Sequence, residues 1–321
     1  MNKYQILALK SIRRVYQIVF NGEKEAKPKC IQDADVASKI IYDALMSHEP
    51  CMIARFGSTE LTCLSNSIGV HKEKKQYVNY ILGKSNPWWW EQNIIKQMQQ
   101  WSGFFPARED KIEQFCELMI QDISHVDVLA SWLPNEKLFS KELSNSSKIE
   151  FELLNPYFSK IPWTKALEGK KVLVVHPFSN TIEQQYKKRE LLFKDNLLPE
   201  FELLTIKAVQ SIAGNTTEYN DWFEALDHMK TEMDNHDYDI CLIGCGAYGF
   251  PLAAHAKRMG KKSIQMGGSL QLLFGIRGKR WEDSNYNPIY NYAKLMNEHW
   301  VKPGDEDKPA GAATVEGACY W

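Results

Sequence analysis

Arg55, Gly57, Ser58 and Glu60 fall within six consecutive positions, directly after the apolar run "CMIA". An arginine that leaves a buried strand is either paired or aimed at a ligand, because a guanidinium is almost never buried alone. Its planar fork suits an oxyanion. Gly57 permits a turn. Glu60 stands three residues beyond it, where a helix would start and where the helix dipole favours an acid. That dipole alone accounts for a carboxylate there. The alternative is a carboxylate that holds a divalent metal or meets a ligand.

Three further clusters carry chemistry. "GCGAYG", residues 244–249, is a Gly-x-Gly-x-x-Gly string that follows an apolar run. Gly244 and Gly246 would let backbone N–H groups approach a nucleotide phosphate at a helix start, with Tyr248 beside them. Tight strand–helix packing explains the same glycines. A dinucleotide fingerprint normally opens the chain and has an acid after the next strand. Here the next strand ends in Gly267 and Gly268, with Gln271 following. NAD is therefore discounted. "VVHPFSNT" puts His176 at a strand tip, as a base, as a phosphate donor or as a satisfied structural residue. Ser179 and Thr181 fit helix caps. "FGIRGKRWE" interleaves Arg277, Lys279 and Arg280 with glycine, which suits a diphosphate or a solvated loop.

These residues need a scaffold that gathers them. "CMIARFG", "HVDVLASW", "GKKVLVVHPFS", "FELLTIKAV", "YDICLIGCG" and "KKSIQMGG" read as strands, separated by segments of helical period. Short, wholly apolar strands alternating with helices predict an α/β fold, Rossmann-like, with a mostly parallel sheet and helices on both faces. Ligands bind such sheets beyond the carboxyl ends of the strands. All of the residues above follow strands, so they are expected at one edge. The expected division is a basic amphipathic helix over 1–25, an α/β nucleotide-binding domain over 26–285, and a helix and tail over 286–321.

The 321 residues are 44% apolar, with a formal net charge of −1. A sizeable core is available, and no global basic surface invites nucleic acid. Seven cysteines are unclustered and odd in number. They predict reduced thiols in a cytoplasmic protein rather than a disulfide framework. No apolar run reaches the ~20 residues of a membrane span. Residues 1–21 hold Lys3, Lys10, Arg13 and Arg14 and no acid, with Leu9, Ile12, Tyr16 and Val19 at helical spacing. This segment either contacts an anionic membrane peripherally or docks on protein.

"RFGSTEL" after a first strand resembles the "R-F-G-D-G-E" segment of GT-D fold glycosyltransferases. The closing unit "DICLIGCGAYGFPLAAHAKRMGKKSIQMGG" is similar to theirs as well. "PWTKALEGKKVLVVHPF", "RGKRWE" and the terminal "CYW" resemble a group of bacterial proteins that accompany polysaccharide gene clusters. The resemblance spans about residues 35–285. It implies a glycosyltransferase that moves a sugar from a nucleotide-sugar donor to a glycan or lipid-linked acceptor, in the cytoplasm or at the inner face of the membrane. It also implies an Asp-x-Glu pair that helps bind Mn2+ or Mg2+ and the donor. Ser58 stands where that aspartate would be, leaving Glu60, and a neutral serine is a poor ligand for a hard cation. Arg55, Gly57 and Glu60 carry over by position; His176 and Arg277 rest on their strand-tip placement. A nucleotide-dependent oxidoreductase or phosphotransferase, or a non-catalytic nucleotide-sugar-binding protein, remains the alternative.

Overall fold

In the computed structural model, which describes residues 2–20, 26–72, 74–308 and 320–321, seven strands form one sheet. They are β1 (Cys51–Ala54), β2 (Val128–Ser131), β3 (Ser147–Glu150), β4 (Lys171–His176), β5 (Glu202–Lys207), β6 (Ile240–Ile243) and β7 (Lys262–Gln265). Their order is β3-β2-β1-β7-β6-β4-β5, and every pairing is parallel. The fold is therefore α/β, as the alternation of elements predicts.

Alternation within the inner strands explains why β1 (CMIA), β6 (ICLI) and the VLVV of β4 are apolar. Met52, Ala54, Leu173, Val175, Cys241 and Ile243 enter one hydrophobic layer. Their neighbours Cys51, Ile53, Val172, Val174, Ile240 and Leu242 enter the other. Successive side chains point to opposite faces, and both faces are covered. The edge strand β3 is absent from the sequence reading for the same reason inverted. Only Ile149 of its four residues is buried, so "SKIE" carries no apolar run.

The helices are α1 (Lys3–Val19), α2 (Ala34–Met46), α3 (Ser58–Val70), α4 (Tyr77–Ile81), α5 (Gln92–Ser102), α6 (Glu109–Ile123), α7 (Ser179–Tyr186), α8 (Arg189–Leu192), α9 (Trp222–Asp234), α10 (Gly249–Arg258), α11 (Leu270–Leu273) and α12 (Lys279–Glu282). The single helix expected over "IEQQYKKRELLF" is two, α7 and α8, broken at Lys187 and Lys188. Where a helix is expected over 286–321, the described residues form 3-10 turns at Tyr292–Leu295 and Asp305–Asp307. This segment straps α7. Asp307 accepts the Thr181 N–H at 3.0 Å and its hydroxyl at 2.6 Å, while Gln185 donates to the His299 carbonyl at 3.0 Å.

The six described cysteines are free thiols. Cys319, Gly22 and Glu23 lie outside the described residues. Among the described residues, no helix is long and apolar enough to cross a membrane.

Candidate functional site

Register decides which residues meet. Ile243 of β6 pairs with Val175 of β4 on one side and with Gln265 of β7 on the other. Ile53 of β1 pairs with Ile264. The four strands thus end level, and the loops that leave them open onto one cleft. It is lined by Arg55, Gly57, Ser58 and Glu60 from the β1–α3 turn and the start of α3, by His176 at the end of β4, by Gly244, Gly246 and Tyr248 after β6, and by Gly268 and Gln271 after β7. The cleft encloses about 160 Å3. That is room for roughly a dozen waters, so it is a solvated pocket and not a packing defect.

The glycines are small for different reasons. Gly246 has φ +58, and a Cβ there would lie 2.8 Å from the Ser102 carbonyl oxygen. Gly244 is hemmed by the Gly267 carbonyl and the His176 ring, at 2.6 and 2.8 Å from where its Cβ would be. Gly267, with φ +65, leaves the space that the Arg55 guanidinium fills. Gly57 leaves the space over which the Glu60 carboxylate folds, and Gly268 the space for the Tyr320 ring. Gly268, expected at the cleft from its place after β7, lines it and seats the Tyr320 ring.

Arg55 and Glu60 are both half-buried on this cleft. Neither makes an ion pair among the described residues. Arg55 Nη1 donates to its neighbour's carbonyl, Phe56 O, at 3.2 Å. Its Nε is buried with no partner, and the Phe151 ring lies 5.8 Å from its guanidinium carbon. A buried guanidinium N–H without an acceptor leaves desolvation uncompensated until an anion arrives. Glu60 is the third residue of α3, whose N-cap is Gly57. Gly57 has no side chain to cap the helix, so the Glu60 carboxylate folds back toward the positive end of the dipole. The dipole accounts for where it rests; its position on the cleft leaves it free for chemistry.

His176 is 3% exposed. Its Nδ1 accepts the Phe178 backbone N–H at 3.0 Å. Burial pushes the imidazole down to about 3, opposed weakly by the Asp307 charge. The ring is neutral, and with Nδ1 accepting it carries its proton on Nε2. Toward the cleft it is a donor.

Other expected residues take different roles. Tyr248 lines the cleft, but its hydroxyl is engaged with Ser211 Oγ at 3.1 Å and its ring stacks on Trp222. Burial pushes that phenol up, so it stays neutral. Gln271 donates from Nε2 to the carbonyls of Ile276, Arg277 and Tyr320, while its Oε1 is buried without a partner. Arg277 does not line the cleft. Its backbone N–H bonds the Val301 carbonyl at 2.7 Å and its guanidinium faces Glu282 at 3.8 Å. Ser179 and Thr181 do not cap α7 with their own side chains; Asp307 supplies the cap.

Sequence reasoning does not single out Ser102 and Gly103 at the end of α5, or Gln265, which accepts the Arg55 backbone N–H at 3.0 Å. Tyr320 and Trp321 also line the cleft. The "CYW" string is their one signal in the sequence.

The donor set does not form a metal cage. Among the described residues no three His, Cys, Asp or Glu side chains cluster for a metal, and Glu60 is the one carboxylate among those lining the cleft.

Residues 137–273 match the family model described as a GT-D fold-like domain. That stretch runs from the loop before β3 to the end of α11 and includes His176, the Gly244–Gly246 turn and Gly267. The GT-D-like match supports a glycosyltransferase. No curated protein matches the chain. Two solved structures of the domain of unknown function 1792 are distantly similar. One, a selenomethionine-substituted form, is 12% identical at a TM-score of 0.35, covering 94% of this chain and 96% of that chain. The other, described as having a distinct glycosyltransferase fold, is 13% identical at a TM-score of 0.35, covering 92% and 95%.

Proposed function

We infer that this protein transfers a sugar from a nucleotide-sugar donor to a glycan or lipid-linked acceptor in bacterial surface-polysaccharide assembly, in the cytoplasm or at the inner face of the membrane. The observation that carries the reading is Arg55: a half-buried guanidinium with an unpartnered Nε, facing a cleft with a neutral His176 donor and a glycine turn. Such donors suit the charge that develops on a leaving diphosphate. The turn at Gly246 leads into α10; the Tyr248 and Gly249 N–H groups bond back to the Cys245 and Gly246 carbonyls, which leaves those of Gly246 and Ala247 at the start of the turn to add to the anion site.

Like charges separate the roles. A carboxylate repels a diphosphate, so the diphosphate belongs at Arg55, His176 and Gly246, and the acceptor hydroxyl belongs near Glu60. The acceptor oxygen forms the bond to the anomeric carbon, and its proton passes to the Glu60 carboxylate. The bond from the anomeric carbon to the nucleoside diphosphate breaks, and its electron pair leaves on the phosphate oxygen. If a Mn2+ or Mg2+ ion bound here, Glu60 would be the one carboxylate on the cleft to hold it, since Ser58 offers no second, and the ion would supply positive charge to offset the leaving diphosphate; Glu60 would then serve as a ligand in place of the base.

A thermal-shift panel of nucleotide sugars, with and without manganese, tests the reading. Ligand that binds only the folded state raises its apparent stability. A matching donor is expected to raise Tm and then to release nucleoside diphosphate when acceptor is added. Binding without release would leave a nucleotide-sugar-binding protein. No shift with any donor would sink the reading.

A further inference from the structure

A second concavity lies apart from the cleft. It is a groove of about 550 Å3 between α1 and the α3–α5 region, lined among others by Lys10, Arg13, Arg14, Thr62 and Asn66. Its carboxylate is Glu91, which Lys10 pairs. Arg13 lies over the Tyr80 ring at 4.6 Å. Among the described residues neither Arg13 nor Arg14 has a carboxylate partner, and Arg14 is exposed. In a chain of formal charge −1, this is a local concentration of cations around a concave surface.

Helix α1 sits on the body by its basic side. The stripe of Leu9, Ile12, Tyr16 and Val19 read from the sequence divides: Leu9 and Tyr16 are half-buried, whereas Ile12 and Val19 face out. Tyr4, Val15, Ile18 and Val19 are each at least 60% exposed, with Leu7 and Ile12 about half exposed. No acid occurs in residues 1–20. A contiguous apolar face on the outside of a helix marks a surface that another phase or molecule covers. Bordered by cations and without acids, it has the pattern of a helix that lies in a lipid interface.

We propose that the groove binds the phosphate of an anionic membrane lipid while the outer face of α1 lies in the acyl–headgroup boundary. The two observations are complementary: the exposed apolar face fits the acyl–headgroup boundary, and Arg13 and Arg14 beside it offer cations to an anionic headgroup. A soluble protein partner would match the apolar face but would leave the basic groove unexplained. This assignment stands independently of the cleft's chemistry. One consequence does rest on the glycosyltransferase reading. Helix α3 presents Ser58 and Glu60 to the cleft and Thr62 and Asn66 to the groove. At about 1.5 Å per residue, the two sites are one to two helical turns apart. A membrane-held acceptor would therefore be delivered beside Glu60.

Vesicle flotation of the full chain tests the proposal, comparing neutral phosphatidylcholine vesicles with vesicles that also contain phosphatidylglycerol. The parent is expected to float with the anionic vesicles and to bind neutral ones more weakly. Arg13→Ala/Arg14→Ala should lose the anionic preference, by about fivefold for each arginine. Arg14→Glu reaches the same end through a residue with no described partner, so it keeps the test open if the double variant folds poorly. Val15→Ser/Ile18→Ser should weaken binding to both vesicle types. Failure of the parent to float, or parental binding by Arg14→Glu, overturns the proposal. So does sedimentation evidence that Val15→Ser/Ile18→Ser merely turns a dimer into a monomer. Stabilisation by inorganic pyrophosphate without any flotation would make the groove a soluble-anion site and overturn the lipid assignment too.

Discussion

The backbone N–H of Phe178 donates to Nδ1 of His176 at 3.0 Å, and that bond fixes the tautomer of the imidazole. An accepting Nδ1 has no proton, so the neutral ring is protonated at Nε2. A residue that the sequence leaves open as base or donor is thereby a donor on the cleft wall.

The same burial makes His176 a source of acid lability. Its folded value is lowered from 6.5 to about 3. Between these values the unfolded chain takes up a proton that the folded chain refuses. Stability therefore falls as pH drops below 6.5 and would level off only near 3. From about pH 7.5 to about pH 5 the expected loss from this group is about 2 kcal/mol. Urea melts of the parent and of His176→Asn across that range check it: the variant should lack this share of the pH dependence. Identical pH dependence in the two proteins would mean that His176 is not buried neutral.

Arg55 gives a prediction of opposite sign in two assays. Its Nε is buried without a partner, so that N–H costs the free protein desolvation that the Nη1 bond to the Phe56 carbonyl offsets only in part. Arg55→Met keeps length and apolar bulk. It should leave ligand-free stability unchanged or raise it, because an unpaired cation is removed. Donor binding should weaken by about 10- to 100-fold, the worth of a hydrogen bond to a charged group. A protein that loses stability and retains donor affinity would make Arg55 structural.

Much of this arrangement is legible in the sequence because two periodicities are strong. Six of the seven strands are visible as short runs, β1, β2, β4 and β6 largely apolar and β5 and β7 mixed, each leading into glycine, polar or basic residues, so placing their ends at one edge of a parallel sheet follows directly. Parallel register then brings Arg55, His176 and Gly246 together from widely separated positions in the chain. What sequence misses has local causes. Strand β3 buries one residue of four. Arg277 follows a strand by a longer path, through α11, and ends against Glu282 outside the cleft. Tyr320 reaches the site from the end of the chain, held by the Gln271 amide, and no spacing rule announces a contact between residues 49 positions apart in sequence. The apolar side of α1 is visible as periodicity, but which side faces inward is decided by Lys10 and Arg13 meeting Glu91 and Tyr80.

Gly246 separates packing from access. A side chain there faces the left-handed φ of +58 and the Ser102 carbonyl 2.8 Å from its Cβ. Gly246→Ala should therefore destabilise by about 1–2 kcal/mol from the backbone term alone. It should also displace the turn and abolish donor binding. Denaturant melts give the first quantity and calorimetric titration with donor the second. A variant of parental stability and parental affinity would show that the turn has room for a side chain.

Glu60 and Ser58 carry the chemical test. The Glu60 carboxylate lies over Gly57 at the start of α3, where the dipole attracts it. Glu60→Gln keeps the shape and removes the charge, so a purely electrostatic cap would cost about 0.3–1 kcal/mol of stability. A general base is worth far more: transfer should fall by about 10²- to 10⁴-fold, with Tm shifted only slightly. Loss of stability without loss of turnover would reduce Glu60 to a capping residue. Ser58→Asp is the companion. It places a second carboxylate two residues from Glu60, on the exposed first position of the same helix. A hard cation gains an anionic oxygen, so manganese affinity measured by calorimetry on the protein alone should rise. If Ser58→Asp binds manganese no better than the parent, the two side chains do not converge on one ion, and Glu60 acts on the acceptor proton alone.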